Sequence, residues 1–272
     1  MNMKDIDIAA MLDDLNLPQA AIRWKEIVNG PELADFTPQQ LFREVIEAQY
    51  IETMNNRYKT NLRLSRLIDK SALAENLVTS NKRRYNDAVV QQLLSFRFAE
   101  ERLNVGIYGI TEAGKSYFMS VFCNEACRRN YRCMYVDYCD LLDELLVLSR
   151  REDLEKYRKK LKYYARIQIL FIDDFAISRY SEDGIKILYH LIKTRTDLKT
   201  STMFTSQYAP SEWGKYLSDE EGCYGKLDGI RRRLTTGYTV HIEKLKQSHP
   251  EGLICYAGAL PQAPRFIAFR FP

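Results

Sequence analysis

The residue types with the clearest potential for chemistry lie in one eight-residue segment, Gly109–Ser116, which reads Gly-Ile-Thr-Glu-Ala-Gly-Lys-Ser. This is the spacing of the phosphate-binding P-loop. In such a loop the glycines let backbone N–H groups face a β-phosphate, the lysine reaches the β- and γ-phosphates, and the serine hydroxyl ligates Mg²⁺. We therefore predict that Ser116 ligates the metal and that Lys115 takes part in catalysis. The residues predicted to bind the nucleotide are Gly109, Ile110, Thr111, Glu112, Ala113, Gly114, Lys115, Ser116 and Tyr117.

The sequence on either side of this segment supports the P-loop interpretation. The apolar run Leu103–Tyr108 predicts a buried strand that enters the loop, and Tyr117–Phe122 predicts a helix with an apolar face that leaves it. The alternative is a glycine turn between a strand and a helix that binds no ligand. A GTPase is disfavoured because the base-reading pattern Asn-Lys-x-Asp does not follow, so the predicted nucleotide is ATP.

Two adjacent carboxylates form the second candidate site. They follow the nearly continuous apolar run Ile167–Ile172, which predicts a strand buried on both faces of a parallel sheet. Open α/β sheets bind their ligands at the carboxyl ends of the strands. We therefore predict that Asp173 holds Mg²⁺, and that Asp174 orients and helps to deprotonate the attacking water. The alternative is that both carboxylates merely cap a following helix.

Two further groups are candidates for stabilising a phosphoryl-transfer reaction. Gln207 ends the predicted strand Ser201–Gln207, and its amide could bond the γ-phosphate, the attacking water or only a nearby loop. Three consecutive arginines, Arg231–Arg233, follow a glycine- and acid-rich segment. They suggest an arginine finger, which neutralises charge in the transition state, and Arg232 and Arg233 are the catalytic candidates. The alternatives for these arginines are plain surface charge and contact with DNA.

A basic stretch between residues 150 and 166 is the candidate surface for nucleic acid. It holds eight basic residues against three acidic ones, with three tyrosines between them. Basic and aromatic residues together suit phosphate contact and base stacking, whereas an exposed amphipathic helix is the simpler alternative. The residues predicted to contact DNA are Arg150, Arg151, Lys156, Arg158, Lys159, Lys160 and Lys162.

The elements that must position these groups divide the chain into three parts. We predict a helical N-terminal domain (1–98) for partner or DNA contact, an α/β domain (99–246), and a tail (247–272) to which we assign no function. In the first part, Thr37 and Pro38 predict the start of a helix that runs to about Leu67. Strands and helices alternate in the second part. Its later elements are a strand at 132–137, helices at 140–146 and 181–197, a loop at 218–229 and a strand at 238–242.

Length and composition exclude several classes of protein. The chain has 272 residues with ordinary globular composition, and its net charge of +4 is too small to establish a nucleic-acid partner. No stretch is long and apolar enough to span a membrane, and the first residues do not resemble a signal peptide, so we expect a cytoplasmic protein. Six cysteines occur without any C-x-x-C pair. A zinc site is disfavoured because four ligands at a workable spacing are missing, and reduced thiols are expected.

Together these segments resemble the IstB-type transposition helper ATPases, in the DnaC/DnaA-like branch of the AAA+ superfamily. The resemblance spans about residues 10–245. It rests on the P-loop, on Glu125–Arg132 (Glu-Ala-Cys-Arg-Arg-Asn-Tyr-Arg), on Ile169–Phe175 (Ile-Leu-Phe-Ile-Asp-Asp-Phe) and on Thr205–Trp213. The pattern Thr-Ser-Gln-x-x-x-Ser-Glu-Trp in the last segment is fairly specific to this family, whereas the P-loop is not.

The resemblance implies an AAA+ fold, a five-stranded parallel sheet in the order 5-1-4-3-2 with helices on both faces, preceded by a helical domain. It implies that Asp173 is the metal carboxylate, Asp174 the catalytic acid and Gln207 a sensor. One of Arg232 and Arg233 would act on the nucleotide of the neighbouring subunit. A finger acting in trans needs a head-to-tail interface, so a homo-oligomeric ring or helical filament is expected.

The function implied is that of an ATPase that assembles on duplex DNA and helps an IstA-like transposase to select or engage its target. A DnaC-like helicase loader is the alternative within the same branch. A nucleotide-gated DNA architectural protein without hydrolysis is a second alternative. It is motivated by Glu112, which replaces a glycine usual in the family, and by Arg231–Leu234, which reads Arg-Arg-Arg-Leu where the family usually has Asp-Arg-Leu.

Overall fold

The computed structural model of the chain describes residues 7–77, 83–84, 86–150, 154–218 and 221–244. Two expectations from the sequence, the contact of Arg151 with DNA and the tail 247–272, lie outside these ranges. Within them, no helix combines the length and the apolar character that crossing a membrane requires.

Helices and strands take up most of the described residues. The α-helices are α1 Ile8–Asp14, α2 Pro18–Asn29, α3 Pro38–Leu64, α4 Asp87–Leu94, α5 Arg97–Glu100, α6 Lys115–Arg128, α7 Tyr138–Arg150, α8 Leu154–Arg166, α9 Glu182–Asp197, α10 Trp213–Leu217 and α11 Tyr224–Leu234. The strands are β1 Arg83–Arg84, β2 Asn104–Tyr108, β3 Cys133–Asp137, β4 Ile169–Asp173, β5 Ser201–Ser206, β6 Gly237–His241 and β7 Glu243–Lys244.

Strands β2 to β6 form one sheet, and every neighbouring pair is parallel. Their order across the sheet is β3-β4-β5-β2-β6. If these five strands are renumbered 1 to 5 along the chain, the same order read from β6 to β3 is 5-1-4-3-2, so the prediction is confirmed. All five carboxyl ends therefore meet at one edge, where β2 leads into the P-loop and β4 ends at Asp173.

Helices cover both faces of this sheet, as the interior strand β4 demonstrates. Leu170 and Ile172 pack into the core formed with α7, α8, α9 and α11, whereas Ile169 and Phe171 pack into the core formed with α6. All four side chains are at most 1% exposed. Burial of each such side chain stabilises the fold by about 1.5–3 kcal/mol. The near-continuous apolar run of β4 is therefore explained by helices on both sides.

The N-terminal region is helical, as predicted, and α3 attaches it to the α/β part. Thr37 Oγ1 accepts from the backbone N–H of Gln40, and Gln40 Oε1 accepts from the N–H of Thr37, so a capping box begins α3. Near the other end of α3, Tyr58 Oη donates to Asn124 Oδ1 of α6 at 2.7 Å. The division of the chain at residue 98 stays a prediction.

The secondary structure differs from the expectation in two places. The helical region 1–98 also contains the short strand β1, which pairs antiparallel with β7. Its partner lies about 160 residues further along the chain, so local sequence does not reveal the pairing. The segment 218–229 was expected to be a loop, but α11 begins at Tyr224. Leu227, Ile230 and Leu234 are buried along one face of α11, and Gly229 lets the helix approach α9, since a Cβ there would lie 2.7 Å from the Tyr189 ring.

Candidate nucleotide-binding site

The P-loop lies between β2 and α6, as its spacing predicts. Gly114 takes φ +96° immediately before the first residue of α6, a backbone conformation that L side chains rarely adopt. This turn directs the chain into α6, whose N-terminal N–H groups and positive dipole end favour an anion. Thr111 and Ser116 are exposed at the loop, and Ala113 is buried beneath it.

Lys115 is the buried cation of this loop, with 5% of its surface exposed. Its Nζ donates to the carbonyl oxygen of Ile110 at 3.0 Å, so the side chain folds back across the loop. Burial lowers the pKa of Lys115, and the negative charges of Asp174 and Asp173 oppose that shift. A buried ammonium is costly unless opposite charge is near, so the loop is suited to a polyanion such as a triphosphate.

Asp173, at the end of β4, is 8% exposed, and hydroxyl groups of both neighbouring strands hold it. Tyr135 Oη, from β3, donates to Asp173 Oδ2, and Thr205 Oγ1, from β5, donates to Asp173 Oδ1 at 2.5 Å. Burial and the adjacent carboxylate raise the pKa of Tyr135, which keeps its hydroxyl protonated as a donor. Sequence reasoning missed Tyr135 and Thr205. One signal could have indicated them. In a parallel sheet, the two strands on either side of a strand that ends in a carboxylate place their own side chains beside that carboxylate.

Asp174 lies half-buried next to Asp173. Its backbone N–H donates to Thr205 Oγ1 at 2.9 Å, and its φ of +51° is in the left-handed region. Such a conformation costs a non-glycine residue about 1–2 kcal/mol. Burial raises the pKa of Asp174, the charges of Asp173 and Asp137 raise it further, and Lys115 opposes them. Neither carboxylate caps a helix, because the next described helix begins at Glu182 with Ser181 as its N-cap.

Gln207 follows β5 directly and contacts the P-loop. Its Oε1 accepts a hydrogen bond from Thr111 Oγ1 at 2.9 Å. This contact brings the amide to the carboxyl edge of the sheet, on the same side as the P-loop and the two carboxylates. A nucleotide bound in the P-loop would therefore be within reach of the Gln207 side chain. The same hydrogen bond also agrees with the alternative that Gln207 only contacts a loop.

Glu112, whose position raised doubt about nucleotide binding, turns away from the loop. Its Oε2 forms an ion pair with Lys244 Nζ of β7 at 2.7 Å, and its side chain is 77% exposed. The hydrogen bond from Lys244 lowers the pKa of Glu112. Its φ of +61° explains why a glycine suits this position. The carboxylate thus adds no charge inside the loop.

The three arginines lie at the opposite end of the sheet from the P-loop. Asn104, the first residue of β2, donates from Nδ2 to the carbonyl oxygen of Arg233 at 2.8 Å. The five residues of β2 separate this end of the sheet from the P-loop. From its first residue to its last, β2 spans about 13 Å. Arg232 and Arg233 line a cleft of about 1020 Å³, together with Tyr189 and Lys199. The structure therefore does not bring these arginines to the P-loop of their own chain.

Within this cleft the arginines differ in their partners. Arg232 is 73% exposed and pairs through Nη2 with Asp228 Oδ2 at 2.7 Å, and Arg231 binds the same carboxylate at 2.6 Å. Arg233 donates from Nη1 to the carbonyl oxygen of Gly229 at 2.8 Å, and its guanidinium lies 5.3 Å from the centroid of the Tyr189 ring. Arg232 is thus the most accessible, whereas Arg233 is held in place by its own helix and by α9.

The basic stretch forms the end of α7 and most of α8, and its charges are unequally available. Lys159 pairs with Glu155 on the same helix at 2.6 Å. Lys160 pairs with Glu144 of α7 at 2.6 Å, is 22% exposed and packs near the Tyr164 ring. The remaining described residues of the predicted DNA surface are exposed: Arg150, Lys156, Arg158 and Lys162.

The three tyrosines of this stretch also differ in their exposure. Tyr164 is 1% exposed and donates from Oη to Glu144 at 2.5 Å, so it belongs to the core. Tyr157 is half-buried, and Tyr163 is exposed at 44%. Of the three tyrosines, Tyr163 is therefore the most accessible to a base.

Comparison with known proteins identifies relatives of the chain. Residues 10–236 match the family described as IstB-like ATP binding protein. The ATP-binding protein of insertion sequence IS5376 from Geobacillus stearothermophilus is 23% identical over 217 residues, which are 79% of this chain and 84% of that protein. The ATP-binding protein of insertion sequence IS1162 from Pseudomonas fluorescens is 27% identical over 144 residues, 53% of this chain and 60% of that protein.

Solved structures share the fold. The crystal structure of DnaI has a TM-score of 0.53 and 20% identity, and the match covers 64% of this chain and 92% of that one. The replication initiator DnaA bound to AMPPCP and single-stranded DNA has a TM-score of 0.52 and 19% identity, with coverage of 65% and 51%. The predicted AAA+ class of fold and the predicted family resemblance are both confirmed.

Proposed function

Because the chain belongs to the family of IstB-like ATP-binding proteins, we propose that it is a Mg²⁺-dependent ATPase that assembles on duplex DNA and assists a transposase. The observation that carries the proposal is the convergence at one sheet edge of the P-loop, Asp173, Asp174 and Gln207. These are a phosphate cradle, two acids and an amide, the side-chain types that hydrolysis of a triphosphate needs.

The donors at this edge fit a hard divalent cation. Hydroxyl and carboxylate oxygens are its preferred ligands, and Ser116 and Asp173 supply one of each. Both oxygens of Asp173 accept hydroxyl hydrogen bonds, from Tyr135 and Thr205, which fix the carboxylate where it would hold Mg²⁺ directly or through water. The ion would supply positive charge to the β- and γ-phosphate oxygens.

The reaction would use three side chains in separate roles. Lys115 would exchange its bond to the Ile110 carbonyl for the β- and γ-phosphate oxygens. Asp174 would accept a proton from the attacking water, for which its raised pKa makes it a better base than an ordinary aspartate. Gln207 would orient that water or bond the γ-phosphate, giving up its bond to Thr111.

The arginines would complete the site of a neighbouring chain. They lie at the far end of the sheet from their own P-loop, so a role in hydrolysis requires a second subunit. An interface that joins the P-loop edge of one chain to the arginine cleft of another is head-to-tail, and it builds a ring or a helical filament. Arg232 or Arg233 would then face the γ-phosphate across that interface.

Contact with DNA would use the exposed part of the basic stretch. Arg158 and Lys162 lie one turn apart on α8, are exposed, and show no ion pair among the described residues. Cations on one helix face can neutralise adjacent phosphates and release counterions. We assign this contact mainly to Arg158 and Lys162, because Lys160 is occupied by Glu144 and Lys159 by Glu155.

The experiment that tests this function measures phosphate release from ATP with Mg²⁺, with and without duplex DNA. We expect turnover that rises when duplex DNA is added, because assembly brings the arginines of one chain to the site of the next. ATP binding without any turnover would instead support the nucleotide-gated architectural protein. Co-purification with a replicative helicase rather than a transposase would support a helicase loader.

The assignment of the DNA surface is tested by charge reversal. We expect Arg158→Glu with Lys162→Glu to weaken binding to duplex DNA and to flatten its salt dependence, by about 0.9 in slope for each phosphate that the variant no longer neutralises. Lys186→Glu is the matched control, since Lys186 is also exposed on a helix but pairs with Glu182. Fluorescence anisotropy across a salt series checks this. An unaltered slope would support the alternative that α8 is an exposed amphipathic helix that does not contact DNA.

A further inference from the structure

Three cysteines that the nucleotide site does not use form one buried cluster. Cys123 and Cys127 lie one turn apart on α6, and Cys133 is the first residue of β3 beside that helix. Their three sulfur atoms lie within 4.8 Å of one another, and Cys127 Sγ is 3.3 Å from Cys133 Sγ. Among the described residues, no other group of three or more such side chains is spaced for a metal.

The surroundings of the cluster are apolar. Cys123 and Cys127 are fully buried and Cys133 is 5% exposed, in the core that includes Phe122 and Ala126. Ser65 is a hydroxyl neighbour of Cys127, and its Oγ donates to the carbonyl oxygen of Leu62 and accepts from the N–H of Leu67. The described residues therefore supply three sulfur donors to this site and no histidine, aspartate or glutamate as a fourth ligand.

We propose that Cys123, Cys127 and Cys133 together bind one soft trivalent ion, of the class of arsenic(III), in three-coordinate form. Thiolates select soft ions over hard ones. With bonds to sulfur of about 2.3 Å, a pyramidal three-coordinate ion such as arsenic(III) needs sulfur atoms roughly 3.5 Å apart, and the present spacing of 3.3 Å for one pair and at most 4.8 Å for the others is close to this. Structural zinc takes four ligands, so three sulfurs alone do not complete its preferred shell.

Charge selects the oxidation state. Three thiolates around a trivalent ion give a neutral unit, whereas a divalent or monovalent ion leaves net negative charge in an apolar core, which is costly. The exchange is balanced without any oxidant: arsenous acid, As(OH)₃, and three thiols give one As–S bond per cysteine and three molecules of water. Because the thiols are buried, uptake requires local opening of the structure and should be slow.

Occupation of the site would bond the second half of α6 to β3. This is the helix whose first residues, Lys115 and Ser116, belong to the P-loop, although the sulfur cluster lies two to three turns away from them. A ligand that binds the folded chain and not the unfolded one raises the melting temperature. Arsenic binding by these cysteines does not depend on ATP hydrolysis, so an experiment can contradict either one without contradicting the other.

The test uses two complementary variants of the full chain under reducing conditions. The first retains only the cluster and carries Cys139→Ser, Cys223→Ser and Cys255→Ser. The second removes the cluster with Cys123→Ala, Cys127→Ala and Cys133→Ala. Each is incubated with arsenite, passed through a desalting column and measured by native mass spectrometry and by thermal unfolding.

We expect the first variant and the wild type to gain one arsenic atom and lose three hydrogens per chain, with a higher melting temperature. The second variant should gain none. If the second variant does not fold, Cys133→Ala alone serves, and it should weaken arsenite binding at least tenfold. No uptake by the first variant, or equal uptake when the cluster is removed, would overturn the proposal.

Discussion

Under the proposed function, the two ends of the central sheet carry complementary parts of one chemistry, but the side chains meet within a single chain only at the carboxyl end. At the carboxyl end, Lys115, Asp173 and Asp174 are buried or half-buried and close enough to shift the pKa values of Lys115 and Asp174. At the amino end, Arg232 and Arg233 line a cleft, and their partners are a carboxylate of their own helix, a backbone carbonyl and a tyrosine ring.

The difference indicates what one subunit can do alone. Burial at the carboxyl end fixes a charged loop that is suited to a nucleotide, so we expect binding without a partner. The amino end offers cations that cannot reach the same loop, since β2 lies between them. Under the proposed function, fast hydrolysis therefore requires that the two ends belong to different chains.

At the carboxyl end, the largest expected effect is a loss of ATP binding. Lys115→Ala removes the buried ammonium and should weaken ATP binding by at least about 100-fold, because a charged hydrogen bond contributes about 1.5–3 kcal/mol and several would be removed together. Isothermal calorimetry with Mg²⁺ and ATP measures it. Lys244→Ala is the control, since that lysine makes only an exposed pair with Glu112, and near-wild-type affinity is expected there.

The amino end should affect turnover and leave binding intact. Arg232→Ala with Arg233→Ala should slow hydrolysis on DNA by about 10³-fold, the lower range for an arginine finger, with little change in the ATP affinity of the isolated chain. Arg231→Ala, in the same run of arginines, should change turnover much less. Steady-state phosphate release checks both variants. Full activity in the double variant would remove the arginines from the catalytic proposal.

Gln207 provides a second test of the carboxyl end of the sheet. Gln207→Ala removes the amide that now bonds Thr111 and should lower kcat about 100-fold with little change in ATP affinity, since its expected contacts form in the transition state. Thr111→Val removes the hydroxyl of the same pair and is the matched variant. If only the bond to Thr111 matters, both variants should behave alike in turnover and stability.

The smallest expected effect is a shift of the pH profile. The negative charge of Asp137 raises the pKa of Asp174, so Asp137→Asn should lower it. Asp174 then carries the carboxylate form down to lower pH, and the acid limb of kcat/KM should move to lower pH. Asparagine keeps an oxygen that can accept from the N–H groups of Cys139 and Asp140. A limb that does not move would argue against Asp174 as the base.

The P-loop and the buried strand that ends in two carboxylates could be predicted because each depends on a short local pattern, whereas the strand order was predicted only from the resemblance to a family. The apolar run ending at Asp173 predicts a buried parallel strand, and the structure agrees. Side chains contributed by neighbouring strands could not be predicted in the same way. Tyr135 and Thr205 are far from Asp173 in sequence, and only the sheet order brings them beside it.

The errors have similar physical causes. Three glycines and several acids suggested a loop before Arg231, but packing of Leu227 and Ile230 against α9 outweighs the low helix propensity of glycine. The charge pattern of α8 did not reveal that Glu144, on α7, would take Lys160. The ion pair of Glu112 with Lys244 joins residues 132 positions apart, so the doubt about that carboxylate could be addressed only from the structure.

Mixing two inactive variants tests the shared site most directly. Chains with Asp174→Asn keep the arginines but lack the base, and chains with Arg232→Ala and Arg233→Ala keep the base but lack the arginines. On duplex DNA with ATP, each alone should be nearly inactive. We expect a 1:1 mixture to recover roughly a quarter of the wild-type rate, the share of head-to-tail interfaces that join an intact site to intact arginines. A mixture no faster than its two components measured separately would contradict a site shared between chains.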